Sequence, residues 1–256
     1  MISSSQNTKI KLVRALAGRP KERREAKAFL AEGVRLVEEA LAAGWPFRFA
    51  LYSDELSERG RELLEKLQAH KIEAEQVESR LLQSLSETET SQGLLGVLND
   101  FEVPLPNSPD FLLIADSIRD PGNLGTLLRS AAAAGVQVVL FPPETVDAFA
   151  PKVVRAGMGA HFRLPIRTVS WDEIREQTKG LQVYLADMHG APCWDADLKP
   201  ALALIVGGEA EGATESARKL ATRFVSVPML GKTESLNAAV AGSVLMFEVL
   251  RQRSNL

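Results

Sequence analysis

Cysteine and histidine are nearly absent from this chain. Cys193 is the single cysteine, and the histidines are His70, His161 and His189. An intramolecular disulfide is therefore impossible, and a Cys/His zinc cluster has too few ligands, so no metal is expected. No apolar run approaches the roughly 20 residues that a membrane helix needs. Residues 1–11 are rich in serine and then basic, without an apolar stretch, which does not support a secretory signal. A mitochondrial transit peptide is the weaker rival, because the first acidic residue is Glu22; Glu22, Glu25 and Glu32 then interrupt the basic run. The expectation is a cytoplasmic, reducing setting with no membrane.

A strong excess of one charge is also missing. Thirty Lys plus Arg stand against 33 Asp plus Glu, a net −3, and 45% of the 256 residues are apolar. That balance excludes a disordered charged tail, a collagen-like repeat and a polybasic chromatin-type binder. The length allows one large domain or two modest ones, each able to bury a core. The neutrality is uneven along the chain, however. Residues 1–35 carry Lys9, Lys11, Arg14, Arg19, Lys21, Arg23, Arg24, Lys27 and Arg35 against three glutamates, a local +6 that leaves −9 for the remainder. A basic arm on an acidic body suits a polyanion met at one end; a solvated, Lys/Arg-rich first helix is the bland alternative.

Periodicity places the elements. Leu30, Val34, Val37 and Leu41 predict a helix over residues 25–41, with Gly44 past its end. Phe47, Phe49 and Leu51 alternate like a strand, a polar helix follows around Leu63 and Leu67, and residues 72–77 and 94–101 are further strand candidates. Residues 1–100 thus form a small α/β domain carrying the basic arm. Pro104, Pro106, Asn107, Ser108 and Pro109 mark residues 101–110 as a linker. The second domain, 111–256, opens on the apolar run 111–115, suited to a buried parallel strand. Asp120, Pro121, Gly122 and Asn123 form a turn with Asn123 as helix cap, and residues 136–141 complete a βαβ unit. Strand-then-glycine-loop recurs after residues 201–206, and a strand over 224–229 precedes a last helix from about Ser235 to Arg251. That helix is apolar on nearly every side, as expected inside a core or at a subunit interface.

Two common phosphate-binding patterns fail. Gly231-Lys232-Thr233 resembles the end of a P-loop, but Ser226 stands where the first glycine is required. No G-x-G-x-x-G follows any predicted strand. Three glycine-bearing loops remain, each at the carboxyl end of a strand, where open α/β sheets place ligands. The first carries Asn123, Gly125 and Arg129; the second Gly207, Glu209 and Gly212; the third Pro228, Gly231, Glu234, Ser235, Leu236 and Asn237. Each loop alone has a structural explanation as a cap or a turn. Their joint occurrence in this order is far more specific.

Together the loops resemble the three signature motifs of the SpoU/TrmH family of RNA ribose 2′-O-methyltransferases, within the SPOUT class. The likeness spans 116–129, 155–165 (RAGMGAHFRLP), 207–212 and 227–240 (VPMLGKTESLNAAV). Residues 29–41 and 90–98 are similar to the family's appended substrate-binding domain. Gly157 stands where serine is commoner, so that position offers no hydroxyl. The resemblance implies an α/β fold whose parallel-sheet SPOUT domain is tied in a deep trefoil knot, against the general rule that chains do not thread. It further implies an obligate homodimer and S-adenosylmethionine as methyl donor to a ribose 2′-hydroxyl, in ribosomal RNA rather than transfer RNA.

By the same resemblance, Gly207, Gly208, Gly212, Val227, Met229, Gly231, Ser235 and Leu236 bind the cofactor, and Arg129, Asn123, Glu209, Ser235 and Asn237 form the catalytic set. Arg129 reads as a phosphate clamp that stabilises charge as the proton leaves, because a guanidinium stays protonated in proteins. Arg23, Arg24, Lys27, Arg35 and Lys232 are the RNA contacts expected from charge. His161 and His189 read as structural, and Cys193 as inert. The competing readings are an inert RNA-binding relative and a base methyltransferase of the same fold.

Overall fold

The computed structural model describes residues 1–86, 92–209, 212–231 and 235–254. Among them the chain divides into two compact units, Met1–Phe101 with Asp147–Phe162, and Glu102–Val146 with Arg163–Leu256. Read from sequence, residues 147–162 fall within 111–256; in the structure they fold with the first unit.

The first unit begins with α1 (Thr8–Gly18) and α2 (Pro20–Ala26). The expected helix over 25–41 is instead β1 (Ala28–Glu32) followed by α3 (Val34–Ala42). Lys27 takes a left-handed conformation (φ 47°) that ends α2, and Gly33 at φ 95° turns the chain into α3. Leu30 sits on the spacing of a helix face, but with Phe29 and Ala31 it forms a continuous buried run, which is strand behaviour. Then come β2 (Phe47–Tyr52), α4 (Glu58–Ala69), β3 (Ala74–Gln76), α5 (Ser79–Gln83) and β4 (Leu94–Asn99). The sheet order is β1-β4-β2-β3, with β4 antiparallel to both neighbours. Ile10, Val13 and Leu16 of α1 are fully buried in a cluster with Leu30, Leu51 and Val97. The basic N-terminal stretch is therefore a folded part of this unit.

Helix α7 (Pro151–Gly157) and a 3-10 turn at Ala160–Phe162 complete the unit. Phe29 meets Phe149 and Phe162 at ring-centroid distances of 4.9 and 6.5 Å, and Trp45 meets Phe162 at 5.3 Å. Aromatic pairs at such separations add to the burial that holds this segment.

The second unit contains a six-stranded sheet in the order β10-β8-β9-β5-β6-β7, parallel throughout. Its strands are β5 (Phe111–Asp116), β6 (Val138–Phe141), β7 (Ile166–Thr168), β8 (Gln182–Pro192), β9 (Leu202–Gly207) and β10 (Arg223–Ser226). Both faces of β5 are buried, as expected for a central parallel strand. The helices are α6 (Pro121–Ala134), α8 (Trp171–Gln177), α9 (Glu215–Leu220) and α10 (Ala238–Arg253). From β5 the chain steps outward through β6 and β7, then crosses to the far side for β8 and returns between β8 and β5 as β9. That reversal leaves a crevice at the carboxyl ends of β5 and β9.

Two helix starts differ from expectation. The cap of α6 is Asp120, whose Oδ1 accepts from Asn123 N at 2.8 Å, with Pro121 at the first helical position. Asn123 is thereby left free for other bonding with its side chain. Helix α10 starts at Ala238, with Asn237 as cap, accepting from Ala239 N and Val240 N at 2.9 and 3.2 Å. Helix α10 also buries Glu248, whose carboxylate is held by Arg251 and Gln252. Among the described residues no helix is long and apolar enough to cross a membrane.

Candidate active site

Strands β5 and β9 are hydrogen-bonded neighbours, with Asp116 paired to Gly207 at their carboxyl ends. The loops that leave them therefore start side by side. Asp116 is fully buried; its Oδ2 accepts from Thr214 N at 2.7 Å, which pins the far end of the second loop to the first. Approach between these loops is close enough to demand glycine. A Cβ on Gly208 would lie 2.4 Å from the Ser117 carbonyl oxygen, and one on Gly207 would lie 2.6 Å from Ala213 N.

Across this junction runs a chain of side-chain amides. Asn123 Nδ2 donates to the Glu209 carboxylate, and Asn237 Nδ2 donates to Asn123 Oδ1 at 3.0 Å. Asn237 Oδ1 in turn accepts the first free N–H groups of α10. The sense of the chain is fixed at both ends, because the carboxylate can only accept and the helix N–H groups can only donate. One continuous path thus links the positive N-terminal end of α10 to Glu209. Three of the residues expected to be catalytic are brought together here, one from each of the three loops.

Arg129 is placed differently. It lies six residues beyond Asn123 on α6, about 9 Å farther along the axis and roughly a third of a turn off its face. Its side chain is exposed and has no hydrogen bond or ion pair within the described residues. A long side chain there leans back toward the N-terminus of the helix, so it is available to an incoming ligand.

Beside the amide chain opens a cleft of about 500 Å³ over the ends of β8, β9 and β10, within the usual range of ligand pockets. Gly207, Gly208, Gly212, Val227, Met229, Ser235 and Leu236 line it, as expected for the cofactor set; Gly231 does not. Glu209 and Asn237 line it too, so it is continuous with the amide chain. Val206, Val225, Leu236, Ala241 and Leu245 make one side of the lining apolar, suited to a flat heterocycle, and the acids Asp187 and Glu209 suit a ligand with positive charge. Glycine backbone, apolar wall and carboxylates fit an S-adenosyl compound.

Residues 186–189, midway along β8, and Arg218 of α9 also line the cleft, and neither stood out in the sequence. Asp187 Oδ2 pairs with Arg218 Nη1 at 3.0 Å, and its Oδ1 accepts from His189 N at 2.9 Å. Burial pushes the Asp187 carboxyl up, but the His189 N–H and the Arg218 guanidinium outweigh it and hold the group below its ordinary range. A readable signal was the alternation of Val183 and Leu185 running into Gly190, whose added Cβ would lie 2.4 Å from Val225 N. His189, read as structural, is exposed on the cleft wall. His161 is fully buried in the first unit, with Nε2 bonded to the Ala148 carbonyl at 2.7 Å. Cys193 is buried, and burial pushes its thiol up to about 11, the opposite of an activated thiolate.

Of the expected RNA contacts, Arg24, Lys27 and Arg35 are exposed, and Lys232 lies outside the described residues. Arg23 is corrected. It is 6% exposed, with Nε on Asp147 at 2.7 Å and Nη1 on the Leu16 carbonyl at 2.6 Å, so its charge is committed inside the first unit. Helical phase explains this: Arg23 faces the core where Arg24 faces water.

Comparison with known proteins extends these observations over the whole chain. Residues 110–247 match the SpoU rRNA methylase family, and residues 7–96 match the MRM3-like substrate-binding domain. The chain is 34% identical over 251 residues to the 23S rRNA (guanosine(2553)-2′-O)-methyltransferase RlmP of Bacillus subtilis, covering 97% of this chain and 98% of that protein. The crystal structure of the SpoU methyltransferase AviRb from Streptomyces viridochromogenes with AdoMet superposes with a TM-score of 0.83 at 31% identity, covering 96% and 99% of the two chains. The AdoMet-bound rRNA methyltransferase from Sinorhizobium meliloti gives a TM-score of 0.85 at 28% identity, over 98% and 97%. A family match over more than half of the chain, and a relative aligned nearly end to end, mean that this chain belongs to the SpoU rRNA methylase family.

Proposed function

We propose that the protein transfers a methyl group from S-adenosylmethionine to a ribose 2′-hydroxyl of ribosomal RNA. The observation that carries this reading is the chain Asn237–Asn123–Glu209, drawn from three loops and opening onto a glycine-floored cleft. When bound, the cofactor supplies an electrophilic methyl group on a sulfonium centre. The remaining work falls to this chain's own residues.

Methyl transfer is an in-line displacement, so donor and acceptor oxygen must be held collinear and dry. The apolar wall of Val225, Leu236 and Leu245 excludes water, and backbone groups around Gly207, Val227, Met229 and Leu236 hold the adenosine end. Asn123 and Asn237 fix the direction in which Glu209 presents its oxygens, and Ser235, on the cleft wall, orients the target ribose with them. Arg129 clamps the RNA phosphate next to the reacting ribose and stabilises charge as the hydroxyl proton leaves. Exposed Arg24, Lys27 and Arg35 contact the RNA backbone, and Lys232 is assigned to the same task.

In this reading the C-terminal segment forms a trefoil knot. Support comes from the path between β10, at the outer edge of the sheet, and α10, which packs on α6 near Leu127 and on β9 at Val206. A chain that leaves the outer edge of the sheet at β10 and re-enters at α10, beside β9 and α6, suits a threaded C-terminal segment. The protein acts as a homodimer: Val240 and Phe247, seven residues apart on one face of α10, remain 47% and 46% exposed, apolar area that suits a second copy of this chain. A cytoplasmic location fits a single, buried and unpaired cysteine.

The test is methyl transfer from radiolabelled S-adenosylmethionine to unmodified ribosomal RNA. Incorporation that blocks alkaline cleavage at the next phosphodiester supports ribose methylation. Incorporation without such a block identifies a base methyltransferase, and no incorporation leaves an inert RNA-binding relative.

A further inference from the structure

Asp187 is the acid that β8 contributes to the lining of the cleft. Strands β8 and β9 pair in register through Leu185 and Ile205. Beyond that pair β8 leaves the ladder and rejoins β10 only at Ala191; Asp187 lies in this departure and lines the same cleft as the Gly207–Gly208 turn that ends β9. Adjacent strands lie about 4.8 Å apart, so an acid just past the last β8–β9 pair, on the wall of the shared cleft, is within reach of a ligand seated on the neighbouring glycine loop. In dinucleotide-binding sheets an acid at the end of the strand beside the glycine turn binds ribose hydroxyls for this geometric reason.

The carboxylate is also prepared for that task. Its side chain is only 11% exposed, yet it faces the cleft. Arg218 takes one bond to Oδ2 and the His189 N–H takes one to Oδ1, which fixes the plane of the group. Each carboxylate oxygen can accept a second bond, so the group can take both donors of a cis-diol. The His189 N–H and Arg218, half-exposed on α9, together hold the carboxylate ionised against the cost of burial.

We propose that Asp187 is the acceptor for the 2′- and 3′-hydroxyls of the cofactor's adenosine ribose, and that Arg218 is the positioning residue that keeps it ionised and aligned. This assignment rests on the reading of the cleft as the S-adenosylmethionine site. It makes Asp187 a specificity residue that selects ribonucleoside over deoxyribonucleoside ligands.

The experiment is calorimetric titration of the full chain with S-adenosylhomocysteine, with 5′-methylthioadenosine, which keeps the ribose but lacks the amino acid, and with 2′,3′-dideoxy-5′-methylthioadenosine, which lacks both hydroxyls. Asp187→Asn retains the shape and is checked by an unchanged melting temperature. Loss of a hydrogen bond to a charged acceptor weakens binding by about tenfold or more. Asp187→Asn is therefore expected to weaken S-adenosylhomocysteine and methylthioadenosine equally, and to bind the dideoxy compound as the wild type does. Arg218→Gln should weaken the same two ligands in the same ratio. Weakening of S-adenosylhomocysteine alone would mean that Asp187 holds the ammonium group, which overturns the assignment; so does indifference to the substitution. Ala241→Trp, filling the cleft, separates the two readings. If it leaves S-adenosylhomocysteine binding intact, the cleft itself is misassigned and the role of Asp187 falls with it.

Discussion

The Asn237 side-chain amide donates to Asn123 Oδ1 at 3.0 Å while its own oxygen caps α10. One residue therefore does two separable jobs, and substitutions can divide them. Asp is as good a cap as Asn but cannot donate to Asn123. Asn237→Asp is expected to leave stability within about 0.5 kcal/mol yet to cut turnover about tenfold or more, since Asn123 loses the donor that orients its amide toward Glu209. Asn237→Ala should also cost about 1 kcal/mol for the lost cap. Thermal melts beside single-turnover methylation rates separate the two effects, and equal rates for Asn237→Asp and wild type would end the relay argument.

Arg129 has no partner within the described residues, so its substitution tests function with little structural confounding. Lysine keeps the charge and loses the planar fork that grips two phosphate oxygens at once. Arg129→Lys should lower kcat by about a hundredfold, in the range found for removing one transition-state donor, with RNA affinity little changed. Near-wild-type turnover would show that the fork geometry does not matter.

The parts of the site legible in the sequence were those carried by local chemistry. Asn123, Glu209 and Asn237 stand in glycine-bearing loops after strands, and their residue types already mark them as bonding groups. Which of them caps a helix was not legible, because Asp120 and Asn123 are both good caps and only the geometry of Pro121 decides between them. Strand β1 was masked by the helical spacing of Leu30 and Val34, a coincidence undone by the left-handed Lys27. Asp187 escaped because it gains its meaning from lining one cleft with the glycine loop after β9, a relation between residues twenty apart that no local pattern contains.

Arg23 and Arg24 are adjacent in sequence and opposite in consequence. Removing one partner of a buried ion pair leaves the other charge stranded, so Arg23→Gln should destabilise the chain by about 3 kcal/mol, the lower end of the usual range because Asp147 keeps some solvent contact. Arg24→Glu should leave the melting temperature within a degree or two, weaken RNA binding and lower its logarithmic salt slope by about 1 to 2. Chemical denaturation and filter binding at several salt concentrations read these outcomes. A salt slope unaffected by Arg24→Glu would remove that side chain from the RNA interface.

His161 makes the stability of the protein depend on pH. It is fully buried; Nε2 bonds the Ala148 carbonyl, while Nδ1 has no hydrogen-bond partner among the described residues. Burial outweighs the Ala148 bond and the nearby Asp147 charge, and lowers its pKa to about 4. The unfolded chain, with an ordinary imidazole near 6.5, therefore binds this proton first as pH falls. Stability from this group is fully present above about pH 6.5, declines through the window down to about 4, and amounts to about 2 kcal/mol lost by pH 5. Urea unfolding at pH 7 and pH 5 should show that loss in wild type. Gln in place of His161 can still donate to the Ala148 carbonyl but does not titrate, so His161→Gln should narrow the difference between the two pH values by most of that amount. If the variant and wild type lose stability in parallel, the acid sensitivity belongs to other groups and His161 is only a packed ring.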